Sequence, residues 1–195
     1  KDRPAGMRST VFLATSPDGI RWTREQAVLT WASDGVHCPV YDAERDRWLM
    51  YSRPANRALV GAGPYQGRNI KRRVAVHVGE APDQWHYGRS CIFPEEEVDV
   101  ADIDMVRVFQ YGTHFYAFLT MMDMENHGVN QVHLAVSRDG IRWTRFPHRP
   151  VWLGRGEPGT WDGGQAHNPC WAGTFGDREI LYYFGTEFGQ KHTQR

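Results

Sequence analysis

The sequence predicts an all-β chain of the propeller kind, built from about three four-stranded units. Three observations lead to it. Residues 13–23 read LATSPDGIRWT and residues 134–144 read LAVSRDGIRWT, alike at nine of eleven positions and 121 residues apart. A fainter version, VAVHVGEAPDQW at 74–85, falls between them, so that Trp22, Trp85 and Trp143 are 63 and then 58 residues apart. No segment carries a helical period over ten residues, whereas short apolar runs broken by turn residues recur throughout. Self-similarity at a steady spacing marks one supersecondary unit used repeatedly, and repeated short strands read as propeller blades.

The repeated phrase reads as a β-hairpin. Val11, Leu13 and Thr15 alternate with Phe12 and Ala14, as in a strand buried on both faces. Ser-x-Asp-Gly then makes a turn whose Asp accepts amide protons and whose Gly allows positive φ. Ile-Arg-Trp-Thr resumes as a second strand after a loop of three to five residues. Asp18, Asp139, Trp22 and Trp143 are read as structural parts of this turn.

The first unit, about 9–54, continues with a strand at 36–41, a polar turn at 42–46 and a strand at 47–52. A loop rich in Gly, Ala and Arg at 54–71 is long enough to be functional. The second unit, about 72–123, holds the hairpin at 74–85, an acidic stretch EEEVDVADID at 95–104, and strands at 105–110 and 114–120. The third, about 130–186, holds the second full phrase, a Gly- and Pro-rich loop at 154–164, and strands at 168–173 and 179–184. Three and a fraction units fall short of a ring of ~4–8 blades, so the remaining blades are expected from a longer chain or a partner chain. All 195 residues read as a single partial propeller domain.

Composition narrows the partners. Lys plus Arg and Asp plus Glu balance at 23 each, which predicts no nucleic-acid or anionic-membrane partner. No apolar run approaches the ~20 residues of a membrane span. Aromatics at 13%, with eight Trp and eight Tyr, fit a β-rich fold and a surface that stacks on sugar rings. Cys38, Cys91 and Cys170 have no metal-type spacing and are expected as free buried thiols, which leans against a strongly oxidising compartment. The chain opens KDRPAG without an initiator Met or signal-peptide pattern, and a processed or truncated N-terminus is expected. The compartment is otherwise left open.

Each unit places an acid just before its predicted innermost strand: Asp34 in unit one, Asp102 with Asp104 two residues on in unit two, and Asp162 in unit three. Aligned by unit, these carboxylates converge on one axial pocket. Facing carboxylates in an aromatic-lined cleft are what glycosidic cleavage needs, one as acid with raised pKa and one as base or nucleophile. The alternative is that each Asp caps a turn at a strand start. His37 and His167 follow the acids, Arg53 ends one strand, Arg107 lies within another, and Glu187 and His192 follow the last. With Asp104 and Gln165 these are candidate substrate-binding residues. Trp31 and Trp161, beside the acids, are candidates to stack on a pyranose ring or to pack.

The run SRDGIRWTR at 137–145, Pro-Val-Trp at 150–152, GTWDGGQAHNP at 159–169 and EILYYFG at 179–185 with His192 resemble five-bladed propeller glycoside hydrolases. Within families 43, 32 and 68 the chain is most similar to bacterial proteins with a family 32 N-terminal-like domain. The resemblance implies an all-β, five-bladed β-propeller and an axial pocket with an Asp base or nucleophile, a second Asp and a Glu acid. By position, Asp34 matches the base or nucleophile, Asp102 its electrostatic partner, and Asp162 the third acidic slot, where substrate binding is the other role. Glu187 and Glu97 are poor matches to the Glu acid, and the WMNDPNG-type, RDP and EC motifs of true family 32 enzymes are absent. No cofactor is implied. A structural metal ion in the axial channel, held by His and water, occurs among relatives, and His37 or His167 are the candidates for it.

The expected function is therefore a glycosidase acting on an oligosaccharide or glycoside. The first rival is a non-catalytic carbohydrate-binding or interaction propeller. A sialidase-type propeller would need an arginine triad, for which Arg53, Arg73 and Arg107 are candidates. A phosphorylase-type propeller would need a phosphate site, for which only the cluster at 68–73 offers itself.

Overall fold

A computed structural model describes residues 9–32, 37–53, 73–86, 88–95, 99, 102–123 and 128–189 of the chain. The described chain is all β, in antiparallel hairpins. Twelve strands follow in order: β1 Ser9–Thr15, β2 Thr23–Ala32, β3 Cys38–Asp42, β4 Arg47–Ser52, β5 Val74–Gly79, β6 Arg89–Ile92, β7 Asp102–Tyr111, β8 His114–Asp123, β9 Val129–Ser137, β10 Thr144–Arg145, β11 Gln165–Phe175 and β12 Arg178–Thr186. Among the described residues no helix is long and apolar enough to cross a membrane.

The hydrogen-bonded sheets are cut at different places from the sequence units. β1 pairs only with β2, β3 to β6 form one four-stranded sheet, and β7 to β10 form a second meander. β11–β12 joins the edge of β9 through a single parallel pairing of Gln165 with Asn130. The repeated phrase therefore closes a sheet by linking its third and fourth strands rather than opening one. Periodicity gives the length of a repeat but not its phase, because the phase depends on which hairpins pair.

Strand extents differ in the same way. β7 begins at Asp102 and β11 at Gln165, each three residues before the apolar run that marked it in the sequence. The phrase's loop spans residues 16–22, longer than the three to five expected. Ile20, Arg21 and Trp22 belong to the turn because Asp18 Oδ1 accepts from the Ile20 and Arg21 amides, and the Trp22 indole donates to the Gly19 carbonyl. The Arg21 and Ile20 amides also hold the Asp18 carboxyl below its usual value. At Asp139 burial pulls upward, but the Arg142 and Ile141 amides outweigh it and the carboxyl is again lowered.

The core lies between the β3–β6 sheet and the six-stranded sheet formed by β7–β12. Leu49 and Tyr51 of β4 and Val74 and Val76 of β5 meet Phe115, Ala117 and Leu119 of β8 and Ala135 of β9, with Trp143 packed against them. Burial of apolar area at roughly 25 cal/mol per Å² makes this seam the main source of stability. On the other side of the second sheet, Trp171 of β11 stacks on Phe109 of β7 at 5.3 Å, and Trp152 lies 4.6 Å from Phe118. The three cysteines are free thiols, but only Cys38 is fully buried, and Cys170 is exposed, against expectation.

Candidate functional site

β3 and β11 each run beside β7. Near their starting ends β3 and β11 carry similar short sequences, His37-Cys38-Pro39 and His167-Asn168-Pro169, and β7 carries Asp102-Ile103-Asp104. Polar side chains from three sheet segments meet there.

Asp104 is the centre of this cluster. It is 4% exposed and pairs with Arg53, which follows β4. One Arg53 guanidinium nitrogen reaches Asp104 Oδ1 at 2.5 Å and its carbonyl at 3.0 Å. A buried charge pair of this kind is strongly destabilised when one partner is removed, because the other is left uncompensated. Arg107, further along β7, donates from Nε to Asn168 Oδ1 at 2.9 Å, and the Asn168 amide donates to Thr120 Oγ1 at 3.1 Å. Asn168 is left-handed, with φ 51°, and the β11 ladder is irregular between His167 and Cys170. Asn tolerates that region better than most residues. The kink turns its side chain to Arg107.

His167 stands beside this network, edge-on to Phe184 at 4.8 Å. Its Nδ1 is buried with no hydrogen-bond partner among the described residues. Burial lowers its pKa, and the nearby Asp104 charge opposes that shift. His77 of β5 is also lowered, by burial first, with the His86 carbonyl opposing and the His37 charge reinforcing.

The sequence-predicted residues divide as follows. Asp102, Asp104, Arg53, Arg107, His37 and His167 fall at the starting ends of β3 and β11, the end of β4, or on the first half of β7. Gln165 lies at the start of β11, accepting from Asn130 Nδ2 and donating to the Phe188 carbonyl. Asp162 lies in the loop before β11, where Tyr183 Oη donates to Oδ2 at 2.9 Å and Thr160 Oγ1 to Oδ1 at 3.1 Å. Trp161 is exposed beside it, and Glu187 is exposed after β12. Asp34, Glu97, His192 and the arginines at 68 and 72 lie outside the described residues. Trp31 belongs to β2.

Asn168, Thr120 and Cys38 escaped the sequence reading. Cys38 Sγ bridges β3 to the Val108 backbone of β7, accepting from its amide and donating to its carbonyl. A signal for Asn168 existed in the likeness of HCP to HNP at two strand starts. Thr120, within an apolar strand, gave none.

Among the described residues no group of three or more His, Cys, Asp or Glu side chains is placed to hold a metal ion.

No protein-family model matches the chain. No curated protein matches it either. Solved structures do match. An N-acetylgalactosamine deacetylase from F. plautii, in complex with blood group B trisaccharide, superposes with a TM-score of 0.61 at 19% identity, over 83% of this chain and 43% of that one. Zg3597, a family 117 glycoside hydrolase from the marine bacterium Zobellia galactanivorans, gives 0.55 at 12% identity, over 89% and 53%. BT0996, in an RGII complex, gives 0.56 at 15% identity, over 88% and 55%. The chain spans about half the length of these structures and shares its all-β fold with carbohydrate-active proteins.

Proposed function

We propose that the protein is a carbohydrate-active propeller of the five-bladed kind that cleaves a glycosidic bond at the cluster where β3, β7 and β11 meet. The observation that carries this reading is the buried Asp104 on β7, paired with Arg53 and beside His167, whose Nδ1 has no hydrogen-bond partner among the described residues. Glycosidic cleavage needs one carboxylate as base or nucleophile and a group that protonates the leaving oxygen. Asp34 remains the proposed base or nucleophile, with Asp102 and Asp104 as the acidic partners on β7. Asp162, with both carboxylate oxygens bonded to Thr160 and Tyr183, fits a positioning role better than a reacting one.

The experiment is a screen of the purified protein against aryl glycosides and plant and microbial oligosaccharides, beside Asp34→Asn, Asp102→Asn and Asp104→Asn. Turnover that falls at least about a hundredfold in these variants while the fold persists supports the reading. Retained turnover in all three overturns it.

A second reading, carbohydrate binding without glycosidic cleavage, is favoured by one observation. The only glutamate near the cluster's end of β12 among the described residues, Glu187, is exposed. A fold neighbour solved with a trisaccharide is a deacetylase, so saccharide binding on this fold is not tied to glycosidases. Saccharide binding without turnover, unchanged in the Asp variants, is its expected outcome. A sialidase-type arginine triad is disfavoured, since Arg53 and Arg107 bond Asp104 and Asn168. The cluster at 68–73 proposed for phosphorolysis lies mostly outside the described residues.

A further inference from the structure

The loop before β11 is built to hold one side chain out into solvent. Thr160 bonds the Glu157 carbonyl through both its amide, at 3.0 Å, and its hydroxyl, at 2.7 Å. The Gly163 amide returns to the Thr160 carbonyl at 3.0 Å, and the Gly164 amide ties the loop's end to Thr186 of β12 at 2.9 Å. The Tyr183 hydroxyl donates to Asp162 Oδ2, and the Thr160 hydroxyl shares its one proton between the Glu157 carbonyl and, at the longer 3.1 Å, Asp162 Oδ1. Trp161, at the tip, is 62% exposed.

Its ring is nevertheless well seated. Trp161 lies on the backbone of β12 at Gly185, where an added Cβ would run into Cζ3 and come within 2.8 Å of Cε3. Tyr183 supports the ring at a centroid distance of 5.4 Å. The other strongly exposed indole, Trp22, donates its N–H to its own turn at Gly19. Trp152, also partly exposed, lies against Phe118. Trp161 alone of the three combines an open face with a rigid bed and an indole N–H that takes no partner among the described residues. Gly185 pairs with Ala166 in the β11–β12 ladder, one step from the pairing of His167 with Phe184. Successive residues of a strand point to opposite faces. The indole and the His167 imidazole therefore stand on the two faces of one hairpin at the same end.

We propose that Trp161 is a saccharide-stacking platform beside the axial cluster, holding a sugar unit of an oligosaccharide that extends from that cluster over the end of β11–β12. The inference rests on the carbohydrate reading above and adds to it a preference for chains over single sugars. A flat apolar ring matches the C–H face of a pyranose, and a pre-ordered platform avoids the cost of freezing a mobile side chain on binding. Tyr183, whose hydroxyl is held protonated by its bond to Asp162, is the positioning residue for the loop.

Calorimetric titration of the full chain with a panel of neutral trisaccharides, blood group B trisaccharide among them, and with their component monosaccharides tests this. Trp161→Ala is expected to weaken trisaccharide binding about tenfold, as truncation of an aromatic anchor does, and to leave monosaccharide binding unchanged. Trp161→Phe, which keeps a stacking face, recovers part of the loss, and Tyr183→Phe gives a smaller loss than Trp161→Ala. Trisaccharide binding that is the same in Trp161→Ala as in the parent overturns the platform and leaves the carbohydrate reading standing. A parent chain that binds no saccharide of the panel overturns both.

Discussion

The two copies of the repeated phrase fold identically and are buried differently. Ser16 accepts from the Gly19 amide at 2.8 Å and Ser137 from Gly140 at 2.9 Å. Asp18 and Asp139 each accept from the next two amides after the Gly, and each indole donates to its Gly carbonyl, at 3.1 and 3.2 Å. The ladder that follows keeps its register, Ala14 opposite Arg24 and Ala135 opposite Arg145.

The surroundings then diverge. The second copy is docked on β4. Tyr51 Oη donates to the Gly140 carbonyl at 2.7 Å, Arg47 donates to the Asp139 carbonyl at 2.7 Å, and Trp143 meets Tyr51 edge-on at 5.8 Å. The first copy presents Ile20 at 83% and Trp22 at 64% exposure. Arg24 lies over Phe12, whereas its counterpart Arg145 is drawn into a buried pair with Asp99 beside His133. The turn is a local product of its own residues. Its contribution to stability comes from the sheet it lands on.

The largest effect that sharpens this comparison is expected at the turn glycines. Both have positive φ, 74° at Gly19 and 68° at Gly140. A Cβ at Gly140 would collide with Leu49 Cδ1 and approach Tyr51 Oη to 2.7 Å, while one at Gly19 meets nothing within 4 Å. Gly140→Ala should cost about 3 kcal/mol, from left-handed strain plus overpacking, against about 1 kcal/mol of strain alone for Gly19→Ala. Equal shifts in urea midpoint would break the comparison.

The indoles come next. Trp143→Ala should cost about 2 kcal/mol, since the ring is only partly buried, and Trp22→Ala under about 0.5 kcal/mol. Denaturation of both variants, followed by circular dichroism, checks the order. A smaller step is Tyr51→Phe, which removes the shorter of the two bonds to the Gly140 carbonyl and leaves it only the Trp143 indole as donor; it should cost about 1 kcal/mol. If Tyr51→Phe is neutral, the hydroxyl bond adds nothing to the docking.

The remaining effect is one of pH. His133 stands 121 residues after Phe12, in the same place of the phrase. Burial, reinforced by the Arg145 charge and opposed by Asp99, pushes its pKa down to about 4 from the ordinary 6.5. The unfolded chain then binds the proton more readily, so stability is complete above 6.5, falls as pH drops toward 4, and levels below it. His133→Gln should flatten the stability profile between those values. A profile unchanged in that window would show that His133 is not the group responsible.

Much of this was legible in the sequence. The Asp-Gly chemistry of the turns, the strand character of the apolar runs and, among the described residues, the absence of helix follow from near neighbours along the chain, but the burial on both faces expected of β1 is not met, since Phe12, Ala14 and Thr15 are exposed. The clustering of Asp104 with Arg53, 51 residues earlier, was not, because no local rule says which of Asp102 and Asp104 turns inward. The irregular step between Ile103 and Met105 in the β7–β8 ladder decides that, and bulges arise from pairing. Asp162 shows the converse. Its place before β11 was expected, but its partners Tyr183 and Thr160, 21 residues later and 2 residues earlier, were not.

The sequence by itself determined the turns, the repeat length and the β character, because each depends on residues within a few positions of one another. The tertiary structure decided where a sheet begins, which copy of a phrase is buried, and which polar residues share the cluster. Those depend on which hairpin lies beside which, and strand pairing between segments tens of residues apart is settled by the whole set of buried faces rather than by any one of them.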